Sequence, residues 1–377
     1  MDTALNVVQL AQDMVAIESE SRISNETICD FLEKVLDQAG FDVERLVYTD
    51  AAGVSKHNLV ARKGAGSGGL GFFSHTDTVP GAPGEPEAWK PFKPAVAGGR
   101  LVGRGSCDMK GPLAATLVAA ARVDPAHLKR PLWLALTADE EVGYGGAYHV
   151  STHSRLFNES WPHFGVVAEP TNLLPVYAHK GRVKFTVTAH GVSAHASTDR
   201  GVSSNFLVAP FLAEMAELHQ RLRTDVHFWN REFDPPTNSL NMVLDDGGCA
   251  TNVTAAKTVC TLDLRTMPND RHGEVVAIVT EAAEKHNLEL IADTFDPFYI
   301  SPDSEIVQAA LTATGAAKAT TVPYGTEAAV YKDFFGAVIL GPGDIAQAHT
   351  VGEWIEVAQL ETAVDVYGRL IDLLCMQ

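Results

Sequence analysis

The sequence is short of positive charge: 29 Lys and Arg stand against 47 Asp and Glu in 377 residues, a formal charge of −18. A nucleic-acid binder needs the opposite balance, so no nucleic-acid partner is expected. No apolar run approaches the ~18 residues of a membrane-crossing helix. The opening MDTALNVVQLAQDMVAIESE carries acids where a secretory signal carries Lys or Arg. A cytoplasmic protein with no membrane partner is therefore expected. Cysteine is scarce as well: Cys29, Cys107, Cys249, Cys260 and Cys375 are an odd number, widely spread, with no CxxC pair. That excludes a disulfide framework and points to reduced, mostly buried thiols. Two common hydrolase signatures, GxSxG and HExxH, are missing too.

What is present is enough apolar material, 46% of residues, to fill two cores, and a length that suits about two domains. Two helices open the chain, near 3–18 and 25–40, with Ser24 as a start and Gly40 as a stop. Short apolar stretches at 42–48, 57–62, 70–74, 132–138 and 164–168, with a small-residue helix at 111–123, predict a buried, mostly parallel sheet. From about residue 180 the pattern changes to strand, helix, two strands, helix, strand, the order of a ferredoxin-like layer. After Pro297 the first pattern resumes. The expected fold is thus α/β, a mixed, mostly parallel sheet flanked by helices over 1–179 and 296–377, with an α+β domain inserted at 180–295. Gly64, Gly66 and Gly69 match GxGxxG, but LGFFS, a strand, follows, so the segment is expected to be a hairpin loop rather than a phosphate cradle.

The chemistry lies in acids and histidines placed where apolar strands end. His75 and Asp77 follow LGFFS, Glu140 and Glu141 follow LWLALTA, Glu169 follows FGVVA and His349 follows AVIL, while Asp108 stands in GRGSCDMKG. Parallel sheets bind ligands beyond that edge. Singly, each residue has an ordinary explanation as a helix cap, a solvated turn or a surface histidine. Their repetition at several strand ends does not. Imidazole and carboxylate without cysteine suit a zinc-class divalent ion, and more than four candidate ligands suggest two ions, whose chemistry is amide or ester hydrolysis.

SHTDTVP, GRGSCDMKG, ADEEVG, AEPT and AHT, in that order, resemble the motifs of the di-zinc aminopeptidase-like amidohydrolases, and the resemblance covers nearly the whole chain. It implies two Zn²⁺, with Co²⁺ or Mn²⁺ as substitutes. Asp108 would bridge them, His75 and Glu169 would bind one, and Glu141 and His349 the other. Glu140 would be the general base and Asp77 would orient His75. His195, in HGVSAHAS, resembles the histidine that reaches an active site, commonly across a dimer, to hydrogen-bond the oxyanion. Asn252 and Arg265 resemble positions that hold the substrate carboxylate; a buried Asn and a structural ion pair are their competing explanations. PLWLALTADEEVG, AEPTNLLPVYAHKGR, PYGTEAA and ILGPGDIAQAH are most similar to the acetylornithine deacetylase branch, where Glu327 would receive a substrate ammonium, or else cap the next helix. Cys107, Pro112 and Gly325 depart from the commonest family pattern. A small N-acylated amino acid, N2-acetyl-L-ornithine first, is thus the expected substrate of a homodimer in arginine biosynthesis. Related acyl-amino-acid deacylases, metallo-dipeptidases or carboxypeptidases, and a metal-free binding module are the alternatives.

Overall fold

The computed structural model describes residues 5–81, 89–268 and 271–377. The chain divides into two compact units, one comprising Met1–Tyr177, Ile300–Thr320 and Thr326–Gln377, the other Ala178–Tyr299 and Thr321–Gly325. Among the described residues no helix is long and apolar enough to cross a membrane. All five cysteines are free, and four are buried.

In the first unit the strands lie in the order Asp42–Thr49, Ser55–Lys63, Leu132–Thr137, Leu70–His75, Phe164–Val167 and Gly336–Ile339. The first three pair antiparallel and the remaining pairs are parallel. Every residue of Leu70–His75 and Leu132–Thr137 is buried, as expected for strands covered on both faces. Alternation sends neighbours to opposite layers. Phe72 packs edge-on against Tyr367 of the last helix, Val357–Cys375, at 5.1 Å, while Phe73 stacks on Phe335 at 4.5 Å in a layer of aromatic rings that includes Tyr331 and Phe157. The helix Lys110–Ala121 is Ala-rich and buried almost all round, because Leu113, Leu117 and Val118 share one core with Leu10, Val364 and Leu370 of two other helices.

The expected hairpin at the glycine-rich loop is not there. Ser55–Lys63 and Leu70–His75 do not pair with each other; Leu132–Thr137 lies between them. The loop instead crosses that strand's start. Gly69, at φ +81°, approaches so closely that a Cβ would stand 1.9 Å from the Pro131 carbonyl oxygen. Glycine is needed there for a close backbone approach, not for a phosphate.

The second unit is a four-stranded antiparallel sheet, in the order Leu240–Asp245, Lys257–Thr266, Gly181–His190 and Glu289–Phe295. Its helices are Ser204–Thr224 and His272–Lys285. Val183, Phe185 and Val187, spaced by two, meet Phe211, Met215 and Leu218 of the long helix in its core. In sequence this is β-α-β-β-α-β, the ferredoxin-like order.

Candidate metal centre

The parallel strands of the first unit end together, and each hands its next residues to one cluster. His75 closes the strand Leu70–His75 and is wholly buried. Its Nε2 lies 3.1 Å from Asp108 Oδ1, 3.8 Å from Glu169 Oε1 and 4.0 Å from Glu140 Oε2. His349 approaches the same aspartate from the other side: its Nε2 is 3.4 Å from Asp108 Oδ2 and 2.9 Å from Glu141 Oε2. One carboxylate thus faces two imidazoles with its two oxygens. The ligand atoms of His75, Asp108 and Glu141, and those of His75, Glu140 and Glu169, each lie within 4.8 Å of one another. Left-handed backbone at Asp139, Tyr144 and His349 marks the turns that bring these side chains in.

Asp77 sits behind this layer. Its backbone carbonyl accepts from His75 Nδ1 at 2.9 Å, and its carboxylate accepts from the backbone N–H of Glu140 at 3.2 Å and of Glu141 at 3.4 Å, and from the Ser21 hydroxyl at 2.8 Å. It therefore ties the histidine to the turn that carries the glutamates. With Nδ1 donating to a carbonyl, Nε2 is left as the atom that can bind a cation.

The crowding of carboxyls and imidazoles shifts their protonation. Burial pushes the carboxyls of Glu140 and Glu169 well above the ordinary range, and neighbouring carboxylates push them further. Burial raises Glu141 too, with Asp108 adding to it. Burial opposes a charge on His75, yet Asp108, Asp77, Glu140 and Glu169 outweigh it and hold the imidazole protonated far above its usual pKa. Hydrogen bonds to Asp108 and Glu141 raise His349 to about 10. The chain alone thus recruits protons to offset its own negative charge. Carboxylate and imidazole are hard and borderline donors, so the residues fit divalent cations of the zinc class.

One buried residue that holds the cluster has no signal in its own sequence. Glu353 lies four positions after His349, at the start of a small sheet in which Trp354–Glu356 pairs with Arg100–Val102. Its carboxylate accepts from Arg104 Nη1 at 2.9 Å and from the backbone N–H groups of Gly105, Cys107 and Asp108 at 3.0, 2.8 and 3.0 Å. It fixes the Asp108 loop to the His349 loop. Cys107, beside Asp108, is buried and directs its thiol to the Asp344 carbonyl at 3.3 Å.

Glu327 is fully buried in the same unit. The Thr137 hydroxyl donates to its Oε1, and among the described residues its Oε2 has no hydrogen-bond partner. It stands at the N-cap position of the following helix, but its side chain makes no capping hydrogen bond; the Thr326 hydroxyl accepts the Ala328 N–H, at 3.2 Å. Burial raises its pKa to about 7.

Three predicted residues belong to the second unit. His195 is exposed, and its Nδ1 accepts the Ser197 N–H at 3.2 Å with the Ser197 hydroxyl at 2.6 Å. Asn252 is exposed on the neighbouring loop, where its carbonyl accepts the Ala196 N–H at 2.9 Å. Arg265 pairs with Asp263, Nε to Oδ1 at 3.1 Å, and Arg182 shares the same carboxylate.

The chain matches peptidase family M20/M25/M40 over residues 71–373. It is 31% identical to an acetylornithine deacetylase of Proteus mirabilis over 372 residues, covering 96% of this chain and 93% of that one. With an acetylornithine deacetylase of Myxococcus xanthus it shares 33% identity over 384 residues, covering 96% of each. A tripeptidase of Staphylococcus aureus has a similar fold, with a TM-score of 0.79 at 21% identity over 98% of this chain and 99% of that one. The motifs at the strand ends lie within the matched span, and the chain belongs to peptidase family M20/M25/M40 and is a hydrolase of it.

Proposed function

We propose that the chain is a two-metal amidohydrolase that splits N2-acetyl-L-ornithine into acetate and L-ornithine, in the cytoplasm, as a step of arginine biosynthesis. The observation that carries the metal reading is the single carboxylate of Asp108, whose two oxygens face His75 and His349. Two divalent ions of the zinc class, Zn²⁺ first with Co²⁺ or Mn²⁺ as substitutes, would be held by Asp108 between them, with His75 and Glu169 on one side and Glu141 and His349 on the other. When bound, such a pair polarises the amide carbonyl and acidifies water.

The remaining work falls to the chain. Glu140 takes the proton of the attacking water and delivers it to the leaving amine. Its burial and raised pKa suit a carboxyl that must hold a proton between those two steps. Asp77 keeps His75 and the Glu140–Glu141 turn in register. His195 donates to the oxyanion. The Ser197 N–H on Nδ1 selects the tautomer whose hydrogen is on Nε2, the form a donor needs, and one such donor is worth ~3 kcal/mol of barrier. Asn252 and Arg265 hold the substrate carboxylate.

Glu327 receives the ornithine ammonium. A buried carboxylate with one oxygen unpartnered among the described residues supports that role, and the similarity to two acetylornithine deacetylases supports the substrate. The test is hydrolysis of N-acetyl-L-ornithine by metal-loaded protein, beside N-acetylcitrulline, N-acetylmethionine, N-succinyl-diaminopimelate and a dipeptide, with Glu140→Ala as control. The highest kcat/KM is expected on acetylornithine. A higher value on another compound moves the function to that substrate, and near-normal turnover by metal-loaded Glu140→Ala removes the proposed base.

A further inference from the structure

The turn that carries Glu140 and Glu141 is gripped from behind by a buried cation. Asp139, the residue before the pair, has left-handed backbone, φ 59° and ψ 29°. A residue with a side chain holds that conformation only where its surroundings impose it, and Asp is among the few that tolerate it. Both oxygens of its carboxylate face a partner: the Tyr48 hydroxyl donates a hydrogen bond to Oδ2 at 2.6 Å, and Lys56 Nζ forms an ion pair with Oδ1 at 2.9 Å. Tyr48 and Lys56 are direct partners across the antiparallel pair Asp42–Thr49 and Ser55–Lys63, so one face of a sheet presents both. The approach is tight, since a Cβ on Gly145 would stand 2.7 Å from the Tyr48 hydroxyl oxygen.

Lys56 is 1% exposed. Besides Asp139 it reaches the backbone carbonyls of Ser21 and Ile23, with Asp50 3.6 Å away. Ser21 in turn donates to Asp77, whose carboxylate accepts the N–H groups of Glu140 and Glu141. The ammonium therefore joins the two anchors of the turn, Asp139 through its carboxylate and Asp77 through the Ser21 loop. A rotation at Asp139 would swing both glutamates at once, one away from His75 and Glu169, the other away from Asp108 and His349.

We propose that Lys56, acting through Asp139 with Tyr48, is a positioning residue that sets the directions of Glu140 and Glu141. The proposal rests on the roles given above to those two glutamates. It touches neither substrate nor metal and works only through the backbone of the turn. Lys63 supplies the comparison: it lies on the same strand, is 3% exposed, and its ammonium reaches only the Ala120 carbonyl at 3.2 Å among the hydrogen bonds described.

The experiment compares Lys56→Met, Tyr48→Phe, Asp139→Asn, Asp139→Ala and Lys63→Met in the full chain. It measures kcat and KM on N-acetyl-L-ornithine, Zn²⁺ affinity by chelator competition, and the urea midpoint. Lys56→Met is expected to lower kcat by about 100-fold with KM little changed, the effect of misplacing reacting groups by ~1 Å. It is also expected to weaken Zn²⁺ binding by about 10-fold or more, as loss of a supporting contact behind a ligand does. Tyr48→Phe moves both quantities in the same direction by less, and Asp139→Asn, which tolerates the left-handed backbone, retains more activity than Asp139→Ala. Lys63→Met lowers only the urea midpoint. Equal losses of stability in the Lys56 and Lys63 variants, with kcat and Zn²⁺ affinity intact in both, overturn the proposal. If Lys56→Met does not fold, Tyr48→Phe decides, and wild-type kcat and affinity there overturn it equally. A fully active Glu140→Ala would instead overturn the proposed chemistry, whereas an inactive Glu140→Ala beside unaffected Lys56 and Tyr48 variants overturns the positioning role alone.

Discussion

At the scale of single residues, the candidate centre depends on carboxylates that do different work from similar burial. Glu353 accepts four donors, one of them the buried Arg104 guanidinium. Removing one partner of a buried pair typically costs about 3–5 kcal/mol. Glu353→Ala is therefore expected to lower the unfolding free energy from urea titration by that amount and to loosen Asp108 enough that Zn²⁺ is lost on desalting; a variant that stays fully metallated after desalting contradicts the clamp. Glu327 behaves oppositely. Burial raises its pKa from 4.5 to about 7. A carboxyl whose pKa is raised on folding adds stability that is complete below pH 4.5 and lost as pH rises through about 7. Against Glu327→Gln in chelator, the natural chain should thus lose stability between pH 4.5 and 8, on the order of 3 kcal/mol at most. Parallel pH curves for the two proteins would show that the carboxyl stays charged on folding.

At the scale of elements, the second unit offers an apolar edge. Leu240–Asp245 is an outer strand, and Val243 and Leu244 are exposed on it; Phe206, 82% exposed, begins the neighbouring helix, which Asn205 ties to Asp246 at 3.1 Å. An outer strand that is uncharged up to its terminal Asp245, beside an exposed aromatic, invites pairing with another chain. We propose that two copies meet there and that this brings His195 to the partner's centre. Val243→Lys is expected to yield a monomer by light scattering with kcat lowered at least tenfold; a fully active monomer removes the shared histidine. The strands and helices themselves were legible from short apolar runs ended by turns. So was the placing of His75, Glu140, Glu141 and Glu169 at one edge, because an acid or histidine soon after LGFFS, LWLALTA or FGVVA stands at the sheet's carboxyl edge. Glu353, Arg104 and Lys56 were not legible, since a lone charged residue reads as surface until distant segments fold against it. The hairpin expected at residues 64–69 failed for the same reason: strand pairing is not local, and Leu70 finds its partner at Leu132, 62 positions on.

At the scale of the whole molecule, the first unit's centre is a concentration of charge that the chain alone offsets with protons. His75 and His349 are both held protonated well above the ordinary imidazole pKa of 6.5, His349 to about 10. Folding of the metal-free chain gains from those protons below pH 6.5 and loses that gain as pH rises through about 10. A metal must displace them, so Zn²⁺ affinity is expected to climb with pH across that window. Calorimetric binding heats at pH 7.5 should change with the ionisation enthalpy of the buffer, and heats that are the same in all buffers would contradict proton release. Chelation should lower the thermal midpoint, and more so at pH 9 than at pH 6. The strand order has a further consequence, for the order in which the protein is born. Leu70–His75 finds both of its neighbours, Leu132–Thr137 and Phe164–Val167, later in the chain. On the ribosome the strand bearing His75 therefore emerges with two open edges and stays unpaired until some sixty more residues have followed. Slowing translation across that interval should raise aggregation, since an apolar strand waiting for its partners is open to any other.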